Sequence, residues 1–157
     1  MPMSKDIRSN LGDFSSVVCF KAVITGVEDT LGPDGAAVVF TRAGKVRGHA
    51  LANELGVAGS NVPVEKMADL LNGAIGEQGT RLTGVKSVTK EGDSYIVDCF
   101  DTVCSAGEPQ GSDRKCTFTL GAVWGALEAI TGEIFIGEQT ESVLRGGQYD
   151  RFVFSPL

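Results

Sequence analysis

The chain has little with which to hold a nucleic acid. Its 14 Lys and Arg are outnumbered by 20 Asp and Glu, for a formal charge of -6, whereas nucleic-acid binders present a basic face. The same imbalance disfavours a surface drawn to anionic lipid. No run of 18 apolar residues occurs, so no membrane span is expected. The opening MPMSKDIRSNLGDF lacks an apolar signal core, which makes the cytoplasm the expected location. Catalytic signatures are also missing. There is no G-x-S-x-G elbow, no P-loop, and no G-x-G-x-x-G between a strand and a helix. An enzyme is therefore not expected, nor a cofactor. Cysteine is sparse, at Cys19, Cys99, Cys104 and Cys116. Without a signal peptide these read as reduced thiols, with a Cys99–Cys104 bridge conceivable only in an oxidising setting.

What is abundant is glycine, 21 of 157 residues, about twice the roughly 7% of average proteins. A chain of this length is most simply one domain, here residues 16–157 after a loosely ordered lead over 1–15. Apolar residues at Phe20, Ile24, Val27 and Leu31 follow a 3.6-residue period and predict a helix from Ser16. LGPDG at 31–35 breaks it, with Pro33 suited to the first turn of a second helix that runs to Leu55. Pro63 opens a third helix through Ala74. The period then shortens to two. RLTGVKSVTK and SYIVDCF, joined at EGD, predict an antiparallel hairpin. SAGEPQGSDRK at 105–115 is a polar loop long enough to be functional. After one more helix, EIFIGEQTESVL and YDRFVFSP form a second hairpin around RGGQ. The expected fold is α+β, an antiparallel sheet of about four strands packed on several helices.

That last helix, CTFTLGAVWGALEAITG, has no charge from Thr117 to Leu127, yet it carries Gly121 and Gly125 beside the only tryptophan, Trp124. A helix with no polar face is buried all round. Each interior glycine costs roughly 1 kcal/mol relative to alanine. Gly44 and Gly48 repeat the pair in the second helix. Two readings follow: the glycines let helices approach closely, or they leave empty volume beside the indole for a ligand. His49, the only histidine, is either a structural side chain or a group that touches that ligand.

The pattern C-x-F-x-x-G-x-x-x-G-x-L-x-x-x-x-G, followed by a strand carrying Glu138 and a closing glycine–phenylalanine strand, resembles the 4-vinyl reductase domain. RAGKVRGHALANELG and LLNGAIGEQG are similar to the family's upstream helices, so the resemblance spans residues 16–154. It implies a fold shared with haem-nitric-oxide domains and TRAPP transport subunits, and an apolar pocket for an aromatic, hydrocarbon-like or tetrapyrrole-like molecule. Phenol-sensing members hold a zinc through a cysteine at the start of this helix, an E-x-x-C and a last cysteine. Carried onto this chain, Cys116 matches the first ligand and Glu138 the glutamate. Glu141 and Tyr149 or Asp150 stand where cysteines belong. One thiolate among hard oxygens suits zinc poorly, so no metal is expected.

The expected function is a non-catalytic module that binds an apolar or aromatic small molecule between helices and sheet. Trp124, Phe40, His49, Phe100, Gly121 and Gly125 are its expected lining. The alternative is a homodimeric assembly protein with a filled core and no ligand. A homodimer is the expected state in either case, with no nucleic-acid partner.

Overall fold

A computed structural model describes residues 8–157. The first seven residues of the expected lead lie outside it. Three helices pack with a four-stranded antiparallel sheet: α1 (Val17–Glu54), α2 (Val64–Ile75), β1 (Gly84–Glu91), β2 (Ser94–Phe100), α3 (Thr117–Thr131), β3 (Phe135–Glu141) and β4 (Asp150–Pro156). A single 3-10 turn, Val143–Arg145, lies between the last two strands.

The expected break at LGPDG is a sharp bend within α1 rather than a loop. Gly32 adopts φ 74° and ψ 165°, a left-handed conformation open mainly to glycine. Pro33 then restarts the helix, where its missing N–H costs nothing. The bend reverses the chain. Phe20 and Leu51 lie 31 positions apart yet wall one cleft, whereas a straight helix would hold them about 46 Å apart. The two halves of α1 therefore form a helical hairpin. At its start, Ser16 caps the helix by accepting the Val18 N–H at 3.2 Å.

Strand order is β1-β2-β4-β3. The two hairpins meet where β2 pairs with β4, in a register that sets Val97 opposite Phe152 and Cys99 opposite Asp150. Period-two alternation turns Phe152 and Phe154 inward, both fully buried. They join Val97, Phe135, Met67, Leu71, Val123, Leu127 and Ile130 in one core. Each such side chain contributes roughly 1.5–3 kcal/mol when fully buried.

α3 runs between the α1 hairpin and the core, which explains why it has no polar face. Its α1-facing side is the glycine stripe. A methyl carbon built on Gly48 would lie 2.6 Å from the Ala126 nitrogen and closer still to the Ala122 carbonyl oxygen. At Gly44 it would lie 2.7 Å from the Ala122 nitrogen. Gly121 meets the Thr41 carbonyl in the same way, and Gly125 that of Lys45. The four glycines thus bring the two helix backbones into contact. The reading in which they hollow out a chamber is corrected: no side chain fits there because backbone already fills the space. Their intrinsic cost of about 4 kcal/mol is offset by backbone–backbone contact along the whole crossing.

Candidate functional site

The space the fold leaves open lies elsewhere. A cleft of about 610 Å³ opens between the first half of α1, the end of its second half, the 75–82 connection and the start of α3. Phe20, Leu51, Ile75, Leu82, Val103 and Phe118 make its walls apolar. Phe20 and Phe118 meet edge to face, with ring centroids 5.3 Å apart. The floor is the glycine seam itself, through Gly48 and Ala122. Phe14 and Ser15, from the end of the expected lead, and the helix cap Ser16 form part of the rim. Ligand sites commonly fall within about 300–1,000 Å³, so the cleft is large enough for a small molecule.

The 101–116 segment closes one side, and it is fastened from both ends. Lys21 of α1 donates to the Cys104 carbonyl at 2.7 Å and to Glu108 at 2.6 Å. Arg114 pairs with Glu108 at 2.9 Å and also with Glu28 of α1. The Lys21 ammonium leads the effects that hold the Glu108 carboxyl below the ordinary carboxylate range, against a smaller opposing effect of burial. Cys104 and Cys116 are bonded to each other, which places the bridge between the lining residues Val103 and Phe118. The expectation of four free thiols is thus corrected for two of them, and Cys99 is not the partner of Cys104. Cys99 is free and buried, and burial pushes its thiol up to about 12. Cys19 is free, exposed and on the cleft wall.

Beneath the bridge sits Asp150, fully buried. Its Oδ2 accepts from Thr102 at 2.5 Å and Ser105 at 2.9 Å. Its Oδ1 accepts from the Gln139 amide at 3.3 Å and the Val143 N–H at 3.2 Å. Gln139 also accepts the Cys116 N–H at 2.9 Å. This nest occupies the place where the sequence resemblance puts a zinc, one residue away from the expected alignment. Glu138 is exposed on β3, and Glu141 pairs with Arg151 at 2.9 Å. Side chains alternate along a strand, so a shift of one position exchanges inside for outside. The donors that do surround Cys116 are an amide, two hydroxyls and a carboxylate already holding four hydrogen bonds. Zinc takes thiolate, imidazole and free carboxylate, so this set does not fit it.

None of the six expected lining residues borders the cleft. The Trp124 ring lies beneath the Lys45 ammonium, 4.2 Å from its centroid, and against Phe154. Its Nε1 donates to Glu128 at 2.7 Å. Glu128 also receives Lys45 at 3.0 Å and approaches His49 Nε2 at 3.4 Å. Burial alone would raise the Glu128 carboxyl, but hydrogen bonds from Lys45, the Phe135 N–H and Trp124 outweigh it and hold the group below its ordinary value. Phe40 is buried with Ile24 and Ala36 in a satellite cluster. Phe100 is exposed, its ring covering Gly84. Gly121 and Gly125 belong to the seam. The true cleft residues carried one sequence signal, the apolar period of α1 and α3, which a packed core produces equally.

This fold is shared with solved proteins, among them the following two. The phenol-responsive sensory domain of the transcription activator PoxR, solved with phenol, is similar over 92% of this chain and 76% of its own, with a TM-score of 0.68 and 18% identity. A trafficking protein particle complex subunit 3 from Naegleria fowleri, covalently bound to palmitic acid, is similar over 90% of this chain and 92% of its own, with a TM-score of 0.62 and 11% identity. No family model matches the chain. No curated protein matches it either. Among the described residues no helix is long and apolar enough to cross a membrane.

Proposed function

We propose that this protein is a non-catalytic module that takes an apolar or aromatic small molecule into the cleft between the α1 hairpin, the 75–82 connection and α3. The observation that carries this reading is the cleft itself, about 610 Å³ walled by aliphatic and aromatic side chains. Water held against such walls is released on binding, at about 25 cal/mol per Å² of apolar surface covered. The solved neighbours support it, since one holds phenol and the other a fatty acid. Phenols, hydrocarbon chains and the apolar part of a tetrapyrrole are the candidate occupants.

Trp124 lies outside the cleft, so an extrinsic reporter is the appropriate readout. The neutral dye N-phenyl-1-naphthylamine is expected to bind saturably with enhanced fluorescence. Val23, an exposed wall residue, offers a way to fill the space without disturbing the core. Val23→Trp is expected to weaken dye binding at least about tenfold, or about 1.4 kcal/mol, while the thermal midpoint stays within a few degrees. Absence of saturable binding to the wild-type protein would overturn the reading.

A second reading, assembly through α1, is favoured by a separate observation. Val38 and Val46 are 70% and 66% exposed on the outer face of α1, with Thr41, Arg42 and Lys45 between them. Light scattering is expected to find a dimer that Val46→Glu converts to monomer. A wild-type monomer at all concentrations would remove this reading and leave the first intact.

A further inference from the structure

We infer that the ligand of the cleft is an amphiphile with an anionic head group, and that Arg81 selects it. The inference rests on the cleft reading above and adds a charge to it. The chain as a whole is acidic, at -6, yet among the described residues the charged side chains that line the cleft are two arginines, Arg47 and Arg81, and one carboxylate, Asp13. Arg47 is already engaged, sharing Glu54 at 3.2 Å. Arg81 is not. Its Nε donates to the Glu77 carbonyl at 3.2 Å and its guanidinium lies 4.9 Å from the Phe14 ring centroid. Its two terminal nitrogens have no partner among the described residues. An arginine in that state presents a flat pair of donors that matches a carboxylate or phosphate.

The backbone holds the group there. Arg81 has φ 56°, one of three non-glycine residues in the left-handed region among the described residues, and its N–H is tied to the Gly76 carbonyl at 3.1 Å. Such a conformation costs on the order of 1 kcal/mol and persists where the surroundings enforce it. Its effect is to carry the side chain over Phe14 at the rim, next to Leu82 on the wall. The hydroxyl-bearing residues Ser15, Ser16 and Thr80 border the same rim. A ligand whose chain lies along Phe20, Leu51, Ile75 and Phe118 would thus end in a polar margin with one unpaired cation. An anionic head satisfies both parts of the site. A neutral hydrocarbon satisfies only the walls, and a cationic head would meet Arg81 with like charge.

Matched ligands that differ only in the head group test this. Decanoate, decan-1-ol and decylamine, each below its micelle concentration, would compete for N-phenyl-1-naphthylamine in low salt. Decanoate is expected to bind at least about tenfold tighter than decanol, with decylamine weakest. In Arg81→Gln the decanoate advantage is expected to fall to near parity while decanol and the dye bind as in wild type. The decanoate advantage should also shrink in high salt. Equal affinities for decanoate and decanol, or a preference that survives in Arg81→Gln, would overturn the inference and leave the cleft reading standing. Failure of the dye itself to bind would instead overturn the cleft reading.

Discussion

Alanine in place of Gly48 is expected to lower stability by about 3 kcal/mol or more. Helix propensity alone gives the opposite sign, since alanine is favoured over glycine in a helix interior by roughly 1 kcal/mol. Sterics decide the outcome. The added methyl would meet the α3 backbone, 2.6 Å from the Ala126 nitrogen, and backbone cannot rotate aside as a long side chain can. Nor can α3 retreat as a whole, because Gly44, Gly121 and Gly125 hold it in the same close crossing. With a total stability of about 5–15 kcal/mol, the loss would be plain as a lower urea midpoint. Gly26 and Gly73 are the controls: both are helical and a methyl on either meets nothing within 4 Å. Alanine there is expected to be neutral or stabilising by up to about 1 kcal/mol. If Gly48→Ala behaves like Gly26→Ala, the seam is not close-packed.

That seam also bears on the cleft. Gly48 and Ala122 are at once part of the helix crossing and the floor of the ligand space. Loss of the crossing would therefore alter the cleft as well as the fold. A variant that merely fills the opening, such as Val23→Trp, leaves the crossing untouched. The two substitutions separate a requirement for packing from a requirement for space.

The glycines show where reading from the sequence stops. A glycine pair in a charge-free helix says that something approaches closely or that something is missing, and these have the same local signature. Only the partner backbone distinguishes them, and that partner, Thr41 to Ala52 of α1, is about 80 residues away. Elements set by local chemistry were legible: the Pro33 restart, the Pro63 start, the EGD turn and the period-two strands all fall where the sequence places them. Their non-local arrangement was not. The angle at Gly32 decides whether Phe20 faces Leu51, and the residues LGPDG announce a break without stating its geometry. Strand parity failed for a similar reason. The β3–β4 pairing shifts register between Gln139 and Glu141, and Gln139 rather than Glu138 turns toward Cys116. The Cys104–Cys116 bridge likewise depends on the path of the intervening loop, which Lys21 and Arg114 hold from α1.

Asn at position 150 is expected to cost about 3 kcal/mol, although it changes a single atom. The carboxylate serves four donors, two at each oxygen, at a fully buried position. Asparagine keeps its acceptor oxygen for the Gln139 and Val143 N–H groups and turns its NH2 toward Thr102 and Ser105, whose hydroxyls can rotate to accept it. Their two hydroxyl protons then lose their acceptor, at about 1–3 kcal/mol each. Thr102 and Ser105 belong to the segment that walls the cleft through Val103, Gln139 belongs to β3, and Val143 to the β3–β4 connection. The loss would therefore loosen the tie between wall and sheet. Chemical denaturation measures the cost, and a double-mutant cycle apportions it. Thr102→Val removes one of the stranded donors, so combined with Asp150→Asn it is expected to cost less than the sum of the two alone, by about 1 kcal/mol. Strict additivity, or an Asp150→Asn midpoint equal to wild type, would show that the carboxylate does not hold this corner together.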